Sequence, residues 1–557
     1  MQFRWNHTQG APDYDRETGF GFVTGAVYTA DAALHIPETN SGFLPLWWYA
    51  GTPIFDIRQS EYGLQATAAE ALRTEDAAGR RLPVWLRIQV PGEGVYRAEI
   101  TVTGTNGGEM LVFTGRRRLA WRGVLPAGAQ QIVTAYCDVF PIVPRGQADA
   151  VASDAVNIAV VGGALSAVAL AEAPHTRRIW VCGDSTVTDQ TGELPYAPGT
   201  SYAGWGQMLP AYLPEVCITN HAHSGLTTES FLSEGHWAIV KPRLRAGDIC
   251  LFQFGHNDQK LAHLQARGGY TDRLRTYIKE TRTAGAVPVL ITPLARNSWR
   301  DPTHYNDFLA DFADAVLDLG KEEAVPVLDL HAYAMQLIRQ EGLETAKRWF
   351  YPGDYTHTND FGAYRMAGFV AGALGTAAGL PVADAPAWTP APPFVPLTPP
   401  KDCTLPAPDT DPFADYDAAR PQEVLTRAEA LELAIKALKL FPINVYNDLY
   451  ADIVGHETYA GTVQCAAQND LIPAAWVADG KLYPQRTVTA ADFLAVLMPG
   501  AAGRRPLAAP SSLPDTVPAY ARFAAGQAVA EQLISAGSLN IPMTRSDAAA
   551  LCRRLHI

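Results

Sequence analysis

Apolar and polar positions follow three different patterns along the chain. Up to residue 172 the pattern is short and alternating. VYRAEITVTG (95–104) puts apolar side chains at every second position, and VWLRIQV (84–90) and MLVFTG (110–115) have the length of strands. TNGGE predicts a hairpin turn between VYRAEITVTG and MLVFTG. No stretch here has a helical period, so an all-β sandwich is predicted for 1–172.

Over 173–383 the pattern changes. RRIWVCGDS, GDICLFQFGHND and AVPVLITPLARN each run an apolar strand into a polar turn. Helix-like segments lie between and after them, YTDRLRTYIKETRTAG and YNDFLADFADAVLDLGKEEA. This alternation predicts a parallel sheet covered on both faces, with ligands bound beyond the C-terminal strand ends. Residues 384–421, including APAWTPAPPFVPLTPP, are dense in proline and predict an extended linker. The remainder, 422–557, is rich in Ala and Leu and mostly helical. LTRAEALELAIKAL, VTAADFLAVL and MTRSDAAALCRRL open with threonines at 426, 489 and 544, each followed three positions on by an acidic residue. That is a capping-box pattern repeated three times.

Composition narrows the function classes. A chain of 557 residues is too long for one core, and 48% hydrophobic with 18% charged residues is ordinary for several globular domains. The formal net charge is −13, with no prominent Lys/Arg run, so neither nucleic acid nor an anionic membrane is expected as a partner. The seven cysteines are scattered and lack metal-site spacing, which predicts reduced, buried thiols. No uncharged apolar run reaches 18 residues, so no membrane-spanning helix is expected. The first residues lack the apolar core of a signal peptide. The expectation is a cytoplasmic protein, or a secreted or surface protein if a leader precedes this sequence.

Candidate chemistry lies in the middle region. GDST, Gly183 to Thr186, follows the apolar IWVC and presents Ser185 at a strand tip. A serine hydroxyl is a poor nucleophile until a base takes its proton, and that base needs an orienting partner. DYTHTND places Asp354 three residues before His357, close enough in a turn for the carboxylate to reach Nδ1 and leave Nε2 for a serine. Acyl transfer also needs donors aimed at a developing oxyanion. FGHND offers Asn257, and NHAHSGL offers Gly225, whose backbone N–H can approach a ligand without a Cβ. Taken singly, each motif is an ordinary turn or cap. Together, in this order and at strand ends, they point to a serine hydrolase that needs neither a metal nor an organic cofactor.

GDST, the Gly225 loop, GHND and the Asp-x-x-His pair resemble the four blocks of the SGNH (GDSL-like) hydrolases. Within these, GDSTVTD, SYAGWGQMLPAYL, ITNHAHSGLTTESFLSEGHW, FQFGHND and DYTHTNDFGA are similar to the signatures of the rhamnogalacturonan acetylesterase family. The resemblance covers about 176–380. It implies a three-layer α/β domain with Ser185 as nucleophile, His357 as general base and then acid, and Asp354 as its orienter. It also implies an oxyanion hole formed by the Ser185 N–H, the Gly225 N–H and the Asn257 amide. Relatives usually carry Gly-Arg-Ser where this chain has Gly225-Leu226-Thr227, so an arginine that could meet an acidic sugar is absent.

YDRETGFGF, GVYRAEITV and GRRRLAWRG resemble galactose-binding-like β-sandwiches, and Trp47, Trp48, Tyr49 and Trp121 are candidates for stacking on sugars or for core packing. YADI and GKLYPQRTVTAADF resemble S-layer-homology repeats, for which gripping cell-wall polymer or packing and self-association are the two readings. The expected activity is carbohydrate O-acetylesterase, acting on acetylated poly- or oligosaccharides of pectin/rhamnogalacturonan or another plant type. The alternatives are an SGNH esterase for lipid or thioester substrates and a non-catalytic glycan- or wall-binding protein.

Overall fold

The computed structural model describes residues 1–4, 12, 14–15, 17–22, 27–28, 34–35, 48–49, 55–68, 83–143, 149–190, 192–193, 196–261, 263–301, 304–390, 411–438, 440, 449–453, 457–501 and 511–555. The chain divides into two compact units, Met1–Asn297 with Asp307–Thr398, and Ser298–Asn306 with Pro399–Ile557.

The first unit begins with two antiparallel sheets. In one, Gly94–Thr103 lies between Gln130–Val139 and Ala164–Glu172, and Gly63–Ala68 and Phe55–Ser60 extend the sheet. The other runs Arg118–Val124, Glu109–Thr114, Ala155–Val161, Pro83–Gln89 and Phe20–Phe22, so TNGGE is a crossover between the two sheets and not the hairpin turn expected. The alternation read in VYRAEITV is used as expected: Tyr96, Ala98, Ile100 and Val102 are buried and join Leu86, Val112, Ile158 and Leu165 in one core. Trp121 packs against that core. Trp47 and the side chains of Trp48 and Tyr49 lie outside the described residues. A three-residue turn, Gly115–Arg117, joins Glu109–Thr114 to Arg118–Val124, with Gly115 at φ +54° and Arg117 at φ +60°.

The same unit continues into a parallel sheet. Its order is Cys217–Asn220, Arg178–Gly183, Ile249–Gln253, Val287–Ile291, Val327–Leu328. Ile179, Trp180, Val181 and Cys182 are all buried, as the uninterrupted apolar run of a two-sided sheet requires. Helices Thr271–Thr283, Ala310–Glu322, Leu330–Ala346 and Asp360–Ala378 accompany it. From Arg178–Gly183 the chain moves first to one side of that strand and then to the other. Its carboxyl end is thus the switch point where open α/β sheets bind ligands, and Ser185 sits there.

The second unit is built mainly of helices, among them Arg427–Ala437, Ala460–Gln468, Ala490–Ala501, Arg522–Ala530 and Arg545–Leu555. Thr426 and Glu429 form a full capping box. At the second threonine, Thr489 N donates to the Asp492 carboxylate and Asp492 N to Thr489 Oγ1; at the third, Asp547 N donates to Thr544 Oγ1. The residues just before these caps close a ring: Leu425 N donates to Met543 O, Met543 N to Val488 O, and Val488 N to Leu425 O. The repeat seen in the sequence is thus a threefold joint of backbone hydrogen bonds. Phe413 and Tyr416 belong to this unit's core, ahead of the boundary at 422 expected from proline density. The six described cysteines are free and buried, and Cys403 lies outside the described residues. Among the described residues no helix is long and apolar enough to cross a membrane.

Candidate active site

The strand Arg178–Gly183 ends where side chains no longer fit. A Cβ at Gly183 would stand 2.6 Å from Gln253 O and 2.8 Å from Val187 Cγ2. The turn that follows is pinned from below. Asp184 accepts from Thr186 N (2.9 Å) and Thr186 Oγ1 (2.8 Å), and its other oxygen lies 3.3 Å from His256 Nδ1. Burial pushes the Asp184 carboxyl up, but His256 and the Thr186 donors outweigh it and hold it below its ordinary value. Gln253 Nε2 donates to Thr186 Oγ1 (2.6 Å), and Trp205 Nε1 donates to Gln253 Oε1 (2.7 Å). Ser185 is left 9% exposed at the top of this stack, within reach of a ligand.

His357 comes from a loop that folds on itself. Asp354 Oδ1 accepts from Thr356 N (2.7 Å) and His357 N (2.9 Å), while Tyr351 N donates to His357 O (2.9 Å). Asn359 then caps the helix Asp360–Ala378, its side chain accepting from Gly362 N. His357 Nδ1 lies 2.7 Å from Asp354 Oδ2, and His357 Nε2 lies 2.8 Å from Ser185 Oγ. Burial raises the Asp354 carboxyl, but the imidazole and the two backbone donors more than offset this, so it sits below the usual carboxylate range. An ionised carboxylate at Nδ1 fixes the tautomer that leaves Nε2 as acceptor for the serine proton.

The loop bearing Gly225 leaves the neighbouring strand. His221 N donates to Val181 O and His223 N to Gly183 O, which zips this loop onto the serine strand. Gly225 has φ +87°, and beyond its chain neighbours no atom lies within 4 Å of where a Cβ would stand, so its Cα faces open space. Asn257 Nδ2 donates to Leu226 O (2.9 Å), tying the GHND turn to the Gly225 loop. Asn257 Oδ1 accepts from Lys260 Nζ at 3.0 Å. The Leu226 carbonyl can only accept, so it fixes which end of the Asn257 amide faces which way. Burial, with Arg296 adding to it, pushes the Lys260 ammonium well below its usual value. Asp258 accepts from Thr228 N (2.8 Å), Thr228 Oγ1 (2.6 Å) and Gly255 N (3.1 Å); burial raises its carboxyl to about 6.

The structure therefore brings Ser185, His357 and Asp354 into one hydrogen-bonded line, with Gly225 and Asn257 in two linked loops. Such a line can move a proton from a hydroxyl to an imidazole, which is the first need of acyl transfer. Sequence reasoning missed Gln190 and Lys260. Gln190 Nε2 donates to Ser185 O (2.8 Å) and Ser224 Oγ (3.4 Å), so it bridges the serine turn and the Gly225 loop. Only the position of Lys260 three residues beyond Asn257, in the 3-10 turn Asp258–Lys260, could have signalled its role. Tyr202 and Tyr351 stack with centroids 3.6 Å apart, and Tyr202 also presents an edge contact to His357 at 5.6 Å. Among the described residues no three His, Cys, Asp or Glu side chains gather as a metal site requires.

The GDSL-like lipase/acylhydrolase family model matches residues 181–365, a span that contains every one of these residues. Rhamnogalacturonan acetylesterase RhgT of Bacillus subtilis (strain 168) is 33% identical over 222 residues, 37% of this chain and 93% of that protein. The chain belongs to the GDSL-like, or SGNH, hydrolase family. A second relative of this hydrolase, the uncharacterized esterase YxiM of the same organism, is 25% identical over 368 residues, 64% of this chain and 82% of that protein. The crystal structure of protein YxiM from Bacillus subtilis aligns with a TM-score of 0.35 at 20% identity, covering 68% of this chain and 98% of that one.

Proposed function

We propose that this esterase removes acetyl groups from carbohydrate through an acetyl-Ser185 intermediate. The observation that carries the reading is the 2.8 Å approach of Ser185 Oγ to a His357 whose Nδ1 is backed by Asp354. Ser185 Oγ attacks the acetyl carbonyl carbon as His357 Nε2 takes the hydroxyl proton. The carbonyl electron pair moves onto oxygen, and the oxyanion is held by N–H groups of Ser185, Gly225 and Asn257. Collapse breaks the bond to the sugar oxygen, which leaves with the proton from His357. Water, deprotonated by His357, then attacks the acetyl carbon; acetate departs and Ser185 recovers its proton.

The substrate class proposed is acetylated rhamnogalacturonan or related plant polysaccharide fragments, supported by the name of the RhgT relative. Leu226, where an arginine usually stands, leaves recognition of an acidic sugar to other residues. We read the sandwich as a galactose-binding-like module and the helical unit as S-layer-homology repeats. Two repeat arginines of the helical unit favour packing over gripping a polymer. Arg427 donates to Trp476 O and Leu482 O (both 2.6 Å), and Arg545 to Glu429 and Ala419 O, all within the unit.

The test is acetate release from acetylated rhamnogalacturonan, xylan and mannan fragments, alongside acetyl and octanoyl aryl esters. The expected result is release fastest from rhamnogalacturonan, an octanoyl ester cleaved at most about one-tenth as fast as the acetyl ester, and a loss of roughly 10³-fold or more in Ser185→Ala. An enzyme that prefers the octanoyl ester and frees no acetate from any fragment would have been misread.

A further inference from the structure

The serine turn and the histidine loop are both held by a residue that neither of them contains. Arg117, at the tip of the sandwich hairpin, is fully buried in the α/β region, and so is its partner Asp360. Its guanidinium spreads over three targets. Nη1 donates to Asp360 Oδ1 (3.0 Å), Nε donates to Gln190 O (3.2 Å), and Nη2 donates to Tyr202 O. Each target leads towards the proposed chemistry. Asp360 is the first residue of the helix that follows His357, and it also accepts from Tyr196 Oη (2.7 Å) and Gly199 N (2.9 Å). Gln190 carries the side-chain amide that holds Ser185 O. Tyr202 lies edge-on to His357, 5.6 Å between ring centroids.

The hairpin is shaped for this contact at some cost. Arg117 has φ +60°, a left-handed conformation uncommon for a residue with a Cβ. Gln207 Nε2 donates to Arg117 O at 2.7 Å and to Gln190 O at 3.0 Å, locking the backbone of the hairpin to the serine turn. The flanking arginines dock on the same turn. Arg118 Nε lies 3.2 Å and Arg116 Nε 3.5 Å from Asp189 Oδ2, while Arg116 also donates to Asn220 O. A buried ion pair contributes little net stability against an apolar pair, but its fixed geometry specifies one arrangement. Here that arrangement spans the two halves of the Ser–His pair.

We infer that Arg117 is a positioning residue for Ser185 and His357, which makes the N-terminal sandwich a working part of the hydrolytic site. The inference rests on the acyl-enzyme reading above. Its prediction is specific to a planar, forked cation. Lysine keeps the charge but cannot reach Gln190 O, Tyr202 O and Asp360 together.

The experiment uses the full chain with Arg117→Ala, Arg117→Lys and Gln190→Ala, and Arg97→Ala as a control from an exposed ion pair of the same sandwich. Turnover of an aryl acetate is measured per active site, with sites counted by fluorophosphonate titration. Arg117→Ala is expected to lose about a hundredfold in kcat with KM changed less than about twofold, the size of a small misplacement of reacting groups. Arg117→Lys should recover little of this, Gln190→Ala should lose about tenfold, and Arg97→Ala should match wild type. Millimolar guanidinium should partly restore Arg117→Ala and leave Arg117→Lys unchanged. If Arg117→Ala does not fold, Arg117→Lys and Gln190→Ala decide. Wild-type kcat per titrated site in the folded Arg117 and Gln190 variants, with only the number of sites reduced, would assign Arg117 a purely structural role and overturn the inference. Failure of wild type itself to titrate would instead strike at the acyl-enzyme reading.

Discussion

His357 and Ser185 lie 2.8 Å apart, yet they are held in opposite ways. The imidazole of His357 is oriented mostly by bonds within its own loop. Asp354, Thr356 and His357 bond to one another, Tyr351 N reaches His357 O, and Asn359 starts the next helix. The serine turn depends on partners scattered through the chain: Gln253 through Thr186, Gln190 on its carbonyl, and the sandwich hairpin behind Gln190. The difference teaches where precision comes from in this site. A base that must be oriented on one axis can be built from a few neighbouring residues. A nucleophile that must face both a base and oxyanion donors needs several elements to agree.

The largest effect should come from breaking the local side. Asp354→Asn removes the carboxylate that fixes the His357 tautomer, and its turnover should fall on the order of 10⁴-fold, the cost of losing a carboxylate orienter in Ser–His–Asp hydrolases. Steady-state kinetics with an aryl acetate checks it. A loss under about tenfold would mean that the loop's backbone bonds, and not the carboxylate, set the imidazole.

A smaller effect should appear on the distant side. Asp258 joins the GHND turn to Thr228, and its carboxyl is raised to about 6 from 3.8. The folded state therefore binds this proton more tightly than the unfolded chain does. The stabilisation is complete below about pH 4 and is lost as pH rises through about 6, at most about 3 kcal/mol. Denaturant unfolding from pH 4 to 7 should show this decline in wild type and a flatter profile in Asp258→Asn. Equal slopes for the two proteins would remove Asp258 from the account.

How much could be read in advance follows the same division. Asp354–His357 was legible because its bonds span three residues, and the threonine caps at 426 and 489 were legible for the same reason. The parallel sheet was legible because buried strands such as IWVC are apolar throughout. Gly225 and Asn257 were singled out by motif, although nothing in the chain announced the Leu226 O bond that ties their loops together. Arg117 was read only within GRRRLAWRG, as part of the likeness to a β-sandwich. Its partner Asp360 stands 243 residues away, and no local period encodes a contact of that range. Lys260 and Gln190 were missed because their roles exist only once two loops have met.

The central claim is that Ser185 is a nucleophile activated by His357, and covalent labelling tests it most directly. Wild-type protein would be treated with a fluorophosphonate, digested and mapped by mass spectrometry, beside Ser185→Ala and His357→Ala. The account predicts one adduct, on Ser185, absent from Ser185→Ala and formed at least about a hundredfold more slowly in His357→Ala. An adduct on another residue, or labelling at the wild-type rate without His357, would contradict it.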